Sequence, residues 1–182
     1  LTATTEKAAY QKVTTDGHES QYEMIKRLEL SEEHYLVLLD LCKELGIGFM
    51  STPFDIDSLH FLTQECEMDF IKIPSGEITN ALLLLEAART GKKIILSTGM
   101  SSLSEVEQAL MVIAFGYVGA GKGPSLDEFE KAYASAAGQA ALSQNVTLLH
   151  CTTEYPAPLQ DVNLRAMGTL KSAFGLPIGY SD

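Results

Sequence analysis

Apolar residues in this chain cluster in short continuous runs that end in hydroxyls, carboxylates or proline. Five runs share this form: Gly48 to Phe54, Phe70 to Glu77, Lys93 to Met100, Val146 to Pro156 and Leu176 to Asp182. Continuous rather than alternating apolar character marks strands covered on both faces, as in a parallel sheet. Helical patterns fill the gaps. Ser31 can cap a helix through Leu45, with Glu32 and Glu33 in its first turn and Gly46 as its stop. Asp55 or Asp57 starts the next, ending near Cys66, and Asn80 precedes Ala81 to Thr90. Ser102 with Glu105, and Ser125 with Glu128, have capping-box spacing before Val106 to Phe115 and Phe129 to Leu142. Asn163 begins a last helix toward Phe174.

Strand followed by helix, repeated, predicts an α/β fold whose strands deliver polar groups at their C-terminal ends, where parallel α/β proteins place their sites. About five such units are legible, fewer than an eight-stranded barrel needs and compatible with a small open sheet. The stretch from Leu1 to Leu30 is polar and weakly patterned apart from a short helix at Ser20 to Leu28, and reads as a long loop. The chain has no initiator methionine and stops at Asp182 directly after a strand, so neither end reads as a natural terminus.

Composition narrows the function. The chain has 182 residues, 46% of them hydrophobic, enough for one domain with a real core. It has no hydrophobic segment of spanning length and no secretory signal, so it reads as soluble and cytoplasmic, without a membrane partner. Cys42, Cys66 and Cys151 form neither an even framework nor a C-x-x-C pair, which argues against disulfides and a zinc ribbon. A net charge of −11 argues against nucleic acid and requires that any anionic ligand be held by local donors.

Lys72 is the most informative of those donors. It lies among Phe70, Ile71 and Ile73, where desolvating an ammonium is costly, so an anion, a carboxylate or a carbonyl substrate compensates it. Blander readings accompany each residue. Lys72 can sit on a solvated face, hydroxyls at strand ends can cap the next helices, and Pro53, Pro74 and Pro156 can simply end strands. His150, inside Leu148-Leu149-His150-Cys151, reads as a hydrogen-bonded core residue rather than a metal ligand. Met50 and Met100 read as packing residues.

Five motifs in order, Ser51-Thr52-Pro53-Phe54, Lys72-Ile73-Pro74-Ser75-Gly76-Glu77, Ser97-Thr98-Gly99-Met100, His150-Cys151-Thr152-Thr153-Glu154-Tyr155-Pro156 and Gly179-Tyr180-Ser181-Asp182, closely resemble the sialic acid synthase family from about Ala8 to Asp182. The resemblance implies a (β/α)8 TIM barrel, present here as an incomplete segment of about strands three to seven over residues 1–182. A C-terminal antifreeze-like domain, which in the family caps the partner's site in a homodimer, lies outside this chain. It also implies condensation of phosphoenolpyruvate with an N-acetylmannosamine-type amino sugar to a nine-carbon sialic, legionaminic or pseudaminic acid and phosphate. A divalent metal, Mn or Mg, assists, with its histidine ligands outside these residues.

Carried over position by position, the resemblance assigns Lys72, Ser75, Ser97, Thr52 and Ser181 to phosphoenolpyruvate. Glu77, Tyr155 and Thr153 fall to the sugar, Thr153 where the family can have asparagine. The chemistry fits those types: an ammonium as a point charge, hydroxyls as donors to phosphate oxygens, a carboxylate and a phenol for sugar hydroxyls. The implied reaction is attack of the enol carbon on the open-chain aldehyde, polarised by the metal, then water addition and expulsion of phosphate by C–O cleavage. Gly116 to Asn145 is expected as an insertion outside the barrel, a loop followed by an amphipathic helix without catalytic role. Apolar surface near Met50, Ile71, Ile95 and Leu148 is expected to face the barrel interior. Two other functions remain open: a Schiff-base keto-acid aldolase using Lys72 with Tyr155, and a non-catalytic barrel fragment.

Overall fold

The computed structural model describes residues 4–16, 18–119 and 121–182. Backbone packing divides it into two compact units, Leu1–Gly48 and Phe49–Asp182. The first holds α1 (Ala9–Thr14), α2 (Gln21–Leu28) and α3 (Glu32–Leu45). Ser20 caps α2 by accepting from the Glu23 amide, and Glu23 reciprocates by accepting from the Ser20 amide at 2.8 Å, closing a capping box. Gly46, at φ +67°, ends α3 in the left-handed conformation that glycine adopts without a Cβ penalty. The polar stretch before α2 is more ordered than its sequence suggests. Lys7 is buried, and its ammonium donates to Thr15 Oγ1 (2.8 Å), the Asp16 carbonyl (2.7 Å) and Glu19 Oε1 (2.8 Å), so all three protons are matched. The Gln11 side chain accepts from the Ala8 amide at 2.9 Å and starts α1 where no hydroxyl signals it.

The second unit holds one parallel sheet in the order β1 (Phe70–Ile73), β2 (Lys93–Ser97), β3 (Val146–Cys151) and β4 (Ile178–Ser181). Residues 48–53, expected as a further strand, do not form one. The Ser51 amide donates to Met68 Sδ at 3.4 Å, and Pro53 has no amide to give a ladder. α4 (Ile56–His60) follows, capped by Asp55, which accepts from the Ser58 amide at 2.7 Å. It runs on as a π-helical turn to Glu65. Beyond β1 come α5 (Ala81–Arg89), α6 (Leu103–Val118), α7 (Leu126–Ala134), α8 (Ala136–Asn145) and α9 (Arg165–Phe174). α9 starts two residues after Asn163, whose φ of +43° places it before the helix rather than in it.

Register sorts the side chains into two faces. Ile71, Ile94 and Val146 align, as do Ile73, Leu96, Leu148 and Ile178. These residues, with Leu83 and Leu84 of α5, Leu110 and Ile113 of α6 and Leu142 of α8, form one core between sheet and helices. Ile71 and Leu148 are therefore completely buried under helices, not on the interior face expected for them, while Ile95 does lie on the other face. The insertion also departs from expectation. α6 runs through Gly116 to Val118, and the helix expected from Phe129 to Leu142 is broken at Ser135. Ser135 donates to the Ala132 carbonyl (2.7 Å) and accepts from the Gly138 amide (2.9 Å), ending α7 and capping α8 in one residue. Phe115 and Phe129 meet edge to face at 5.1 Å, joining α6 to α7.

Gly116 lies in α6 because a Cβ there would stand 2.4 Å from Ala88 Cβ and 3.1 Å from the Leu85 carbonyl oxygen. The expected result for Gly116→Ala is net destabilisation by about 1–2 kcal/mol, overpacking outweighing the helix-propensity gain of about 1 kcal/mol. Gly168→Ala in α9, where nothing lies within 4 Å, should instead stabilise by about 0.5–1 kcal/mol. Urea midpoints of the two variants check the opposite signs, and equal effects would refute the packing argument.

Candidate active site

Alternation places the chemistry on the sheet face opposite the core. Lys72, Ile95 and Thr147 share one row, Ser97, Leu149 and Gly179 the next, and Cys151 with Ser181 the row at the C-terminal rim. Lys72 leans toward that rim and donates from Nζ to Ser97 Oγ at 2.6 Å and to the Ile73 carbonyl at 3.1 Å. Ser97 is buried and Lys72 half-buried. Burial pushes the Lys72 pKa below the ordinary lysine value, and the nearby Cys151 group opposes that shift. Two of the three ammonium protons have protein acceptors, which leaves one for a ligand.

The turns after β1 and β2 bring further donors to this rim. Ser75 opens the 3-10 turn Ser75–Glu77 that follows Pro74, and its hydroxyl has no hydrogen-bond partner among the described residues. A Cβ on Gly99 would meet Cys151 Sγ at 3.0 Å and Ser75 Oγ at 3.1 Å, so both side chains converge on that glycine. Thr98 is held by β3, its amide donating to the Leu149 carbonyl at 3.0 Å and its hydroxyl at 3.1 Å. Tyr155 lies beside Cys151 and Ser181. Burial and the neighbouring Cys151 group push its pKa up, and the Ser181 hydroxyl draws it back in part, so at neutral pH it is a phenol able to donate. The Ala157 amide donates to Asp182 Oδ1 at 3.3 Å, tying the loop after Tyr155 to the end of β4.

Lys72, Ser75, Ser97, Tyr155 and Ser181 are thus gathered at one end of the sheet, as their positions after the apolar runs predict. Glu77 sits on the same turn as Ser75 and accepts from Asn80 Nδ2 at 2.8 Å, which orients its carboxylate. Thr52 is half-buried in the irregular segment before α4, and the Lys72 ammonium donates to Ser97 and Ile73 rather than to it. Thr153 is exposed on the loop after β3. His150 lies in a row of the core-facing parity. Its Nε2 is 2.7 Å from the Val162 carbonyl and its ring lies 5.9 Å from that of Tyr180, so it is a hydrogen-bonded structural residue. Sequence reasoning passed over Cys151 and Gly99. The period-two parity of Thr147, Leu149 and Cys151 could have flagged the thiol, but the unbroken apolar run conceals it. Among the described residues no three His, Cys, Asp or Glu side chains are grouped to hold a metal, and no helix is long and apolar enough to cross a membrane.

The geometry can be set beside known proteins. The family model described as NeuB matches residues 1–182. The N,N'-diacetyllegionaminic acid synthase of Campylobacter jejuni is 46% identical over 97% of this chain and 46% of its own length. The enzyme of the same name from Legionella pneumophila is 45% identical over 98% of this chain and 44% of its own. The crystal structure of N-acetylneuraminic acid (sialic acid) synthetase from Leptospira borgpetersenii, in complex with citrate, superposes with a TM-score of 0.67 at 34% identity. It covers 88% of this chain and 47% of that one. The chain therefore spans about half the length of the curated relatives it matches, and it belongs to the NeuB family.

Proposed function

We propose that the full-length protein condenses phosphoenolpyruvate with an N-acylated amino-sugar aldehyde to give a nine-carbon sialic acid-type keto acid and phosphate. The observation that carries this reading is the convergence of Lys72, Ser75, Ser97, Tyr155 and Ser181 at the C-terminal rim of a parallel sheet in a NeuB-family chain. The relatives at 45–46% identity favour a diacetylated acceptor. In this reading the sheet is part of a closed (β/α)8 barrel completed by sequence outside these residues. The open face carrying Lys72 is then the barrel interior, and an antifreeze-like domain from the second copy of a homodimer covers the site. The phosphoenolpyruvate substrate places the reaction in the cytoplasm.

Lys72 and the Ser75, Ser97 and Ser181 hydroxyls hold the phosphate and carboxylate of phosphoenolpyruvate. Thr52 joins them once the barrel is closed. Glu77 accepts from sugar hydroxyls, Tyr155 donates to one, and Thr153 lines the same side. The methylene carbon of phosphoenolpyruvate then attacks the aldehyde carbon, the aldehyde oxygen takes up a proton, and water adds to the adjacent phosphate-bearing carbon, losing a proton. Breaking its C–O bond to phosphorus-bound oxygen releases phosphate and leaves the ketone. Atoms balance as enol phosphate, aldehyde and water giving keto acid and phosphate. A divalent metal, Mn or Mg, belongs to the proposal as a carbonyl-polarising Lewis acid. In this proposal its ligands come from outside the described residues, among which no three His, Cys, Asp or Glu side chains are grouped to hold it.

The lowered pKa of Lys72 also suits a nucleophilic amine, so a Schiff-base aldolase is the second reading. Borohydride in the presence of a keto acid decides between them: the synthase reading expects no reduced Lys72 adduct.

Phosphate release by the full-length protein should require both the sugar and a divalent metal. Release that persists without sugar, or after chelation, would overturn the assignment. The 182-residue chain assayed alone should show no turnover. Lys72→Ala should weaken phosphoenolpyruvate binding by about 1.5–3 kcal/mol, the range for charge-assisted hydrogen bonds, as read by titration calorimetry on a folded variant. A pH series adds a sign. Because the free-protein pKa of Lys72 is lowered, wild-type affinity should fall as pH rises into a range where an ordinary lysine is still charged. Lys72→Arg should abolish that fall even if its affinity is lower throughout, and a flat wild-type profile refutes the role.

A further inference from the structure

The loop from Thr152 to Leu164, between β3 and α9, carries Thr153 and Tyr155 and has little packing to hold it. None of its residues is buried, so its place depends on hydrogen bonds rather than on apolar contacts. Within the loop, Thr152 Oγ1 donates to the Glu154 carbonyl at 3.0 Å and the Asp161 amide to the Pro158 carbonyl at 2.8 Å. Among the described residues, its ties to the strands and their ends are those of Tyr155 to Ser181 and Cys151, of Ala157 to Asp182 and of Val162 to His150. Tyr155 and Ala157 hold the limb that leaves β3. Only the His150 bond holds the limb that enters α9.

The Val162 carbonyl can only accept, so His150 Nε2 carries the proton and donates at 2.7 Å. The imidazole stands beside its register partner Tyr180 on β4, in a row of the core-facing parity, with the ring centres 5.9 Å apart. The loop is therefore gripped from both faces of the sheet, by Ser181 on the face that carries Lys72 and by His150 on the face that carries the core. The proposed substrate contacts divide along the same line. Lys72, Ser75, Ser97 and Ser181 belong to β1, the turn after it, β2 and β4, whereas Tyr155 and Thr153 both belong to the loop. A tie that acts on the loop alone reaches the sugar and spares phosphoenolpyruvate.

We infer that His150 is a positioning residue for the acceptor sugar, its bond to Val162 fixing the far limb of the loop and thereby the placement of Tyr155 and Thr153. The inference rests on the proposed condensation and adds to it a residue from the helix-covered face of the sheet that touches neither substrate. Such positioning matters because a small misplacement of a substrate-holding group, even from far away, degrades the attack geometry.

The test uses steady-state kinetics of the full-length protein, with phosphate release followed for N-acetylmannosamine and for a diacetamido hexose, each against phosphoenolpyruvate. His150→Leu and His150→Asn both remove the donor from the Nε2 position, and His150→Gln restores one at similar reach. The inference expects the KM of the accepted sugar to rise about three- to tenfold in the first two variants, that of phosphoenolpyruvate to stay within about twofold, and His150→Gln to recover most of the sugar KM. Unchanged sugar KM in a folded His150→Leu, a parallel rise for both substrates, or no recovery with glutamine each overturn it. If none of the variants folds, hydrogen exchange of the wild type decides. The accepted sugar should slow exchange of the amides between 153 and 163, and inorganic phosphate should not; no slowing by the sugar, or equal slowing by phosphate, overturns the role. Wild type that releases phosphate with neither sugar refutes the condensation reading and the inference with it. Sugar-dependent release with unmoved KM values in the variants refutes the inference alone.

Discussion

Four parallel strands in one register impose the constraint on which the rest depends. Because side chains alternate across a strand, fixing Ile73, Leu96, Leu148 and Ile178 in one row on the helix side also fixes Lys72, Ser97 and Cys151 on the other. Slipping any strand by one residue would send its polar groups into the core under α5 and α6 and bring isoleucines to the rim. The apolar burial that holds the helices on the sheet is thus also what aims the site. Ile71, Ile73, Leu96 and Leu148 are completely buried, so their packing strongly specifies that register.

Close backbone approach adds a second layer of positioning. At Gly116 it brings α6 against Ala88 of α5, and at Gly138 a Cβ would come within 1.9 Å of the Ala132 carbonyl, folding α8 tightly back after α7. These glycines serve the helical layer. Gly99 serves the rim, where the same lack of a Cβ lets the main chain come within reach of Ser75 and Cys151. Side chains of small size do different work according to which face of the sheet they meet. The segment containing α7 and α8 belongs to the first category, since Ala132 and Leu142 join the core on the helix side.

The four strands and most helix starts were legible because their signals are local: a continuous apolar run, or a serine, aspartate or asparagine three residues before a free amide. Ser20, Ser31, Asp55, Asn80, Ser102 and Ser125 all cap as their spacing implies. Features that depend on distant partners were not legible. Residues 48–53 have strand composition but form no strand, and the Ser51 amide donates to Met68 Sδ. Gly116 reads as a breaker until Ala88 is placed beside it. In the site, the gathering of Lys72, Ser75, Ser97 and Ser181 followed from their places at strand ends. Which face each strand presented could not be read from runs apolar on both sides, so Ile71 and Leu148 were assigned to the wrong one and Cys151 was overlooked.

Lys72 couples the site back to the fold through its proton. Burial lowers its pKa in the folded protein, so between the folded and unfolded values the unfolded chain binds the proton more tightly. Stability therefore rises with pH across that window, and the charged lysine is a cost to the fold at every pH below it. Part of that cost is offset by Ser97 and the Ile73 carbonyl, which accept two of its protons. An anion accepting the third would raise the pKa again and remove more of the cost, so occupancy would stabilise the charged form most. The same desolvation that penalises the Lys72 ammonium thereby strengthens the preference of the rim for a negatively charged occupant.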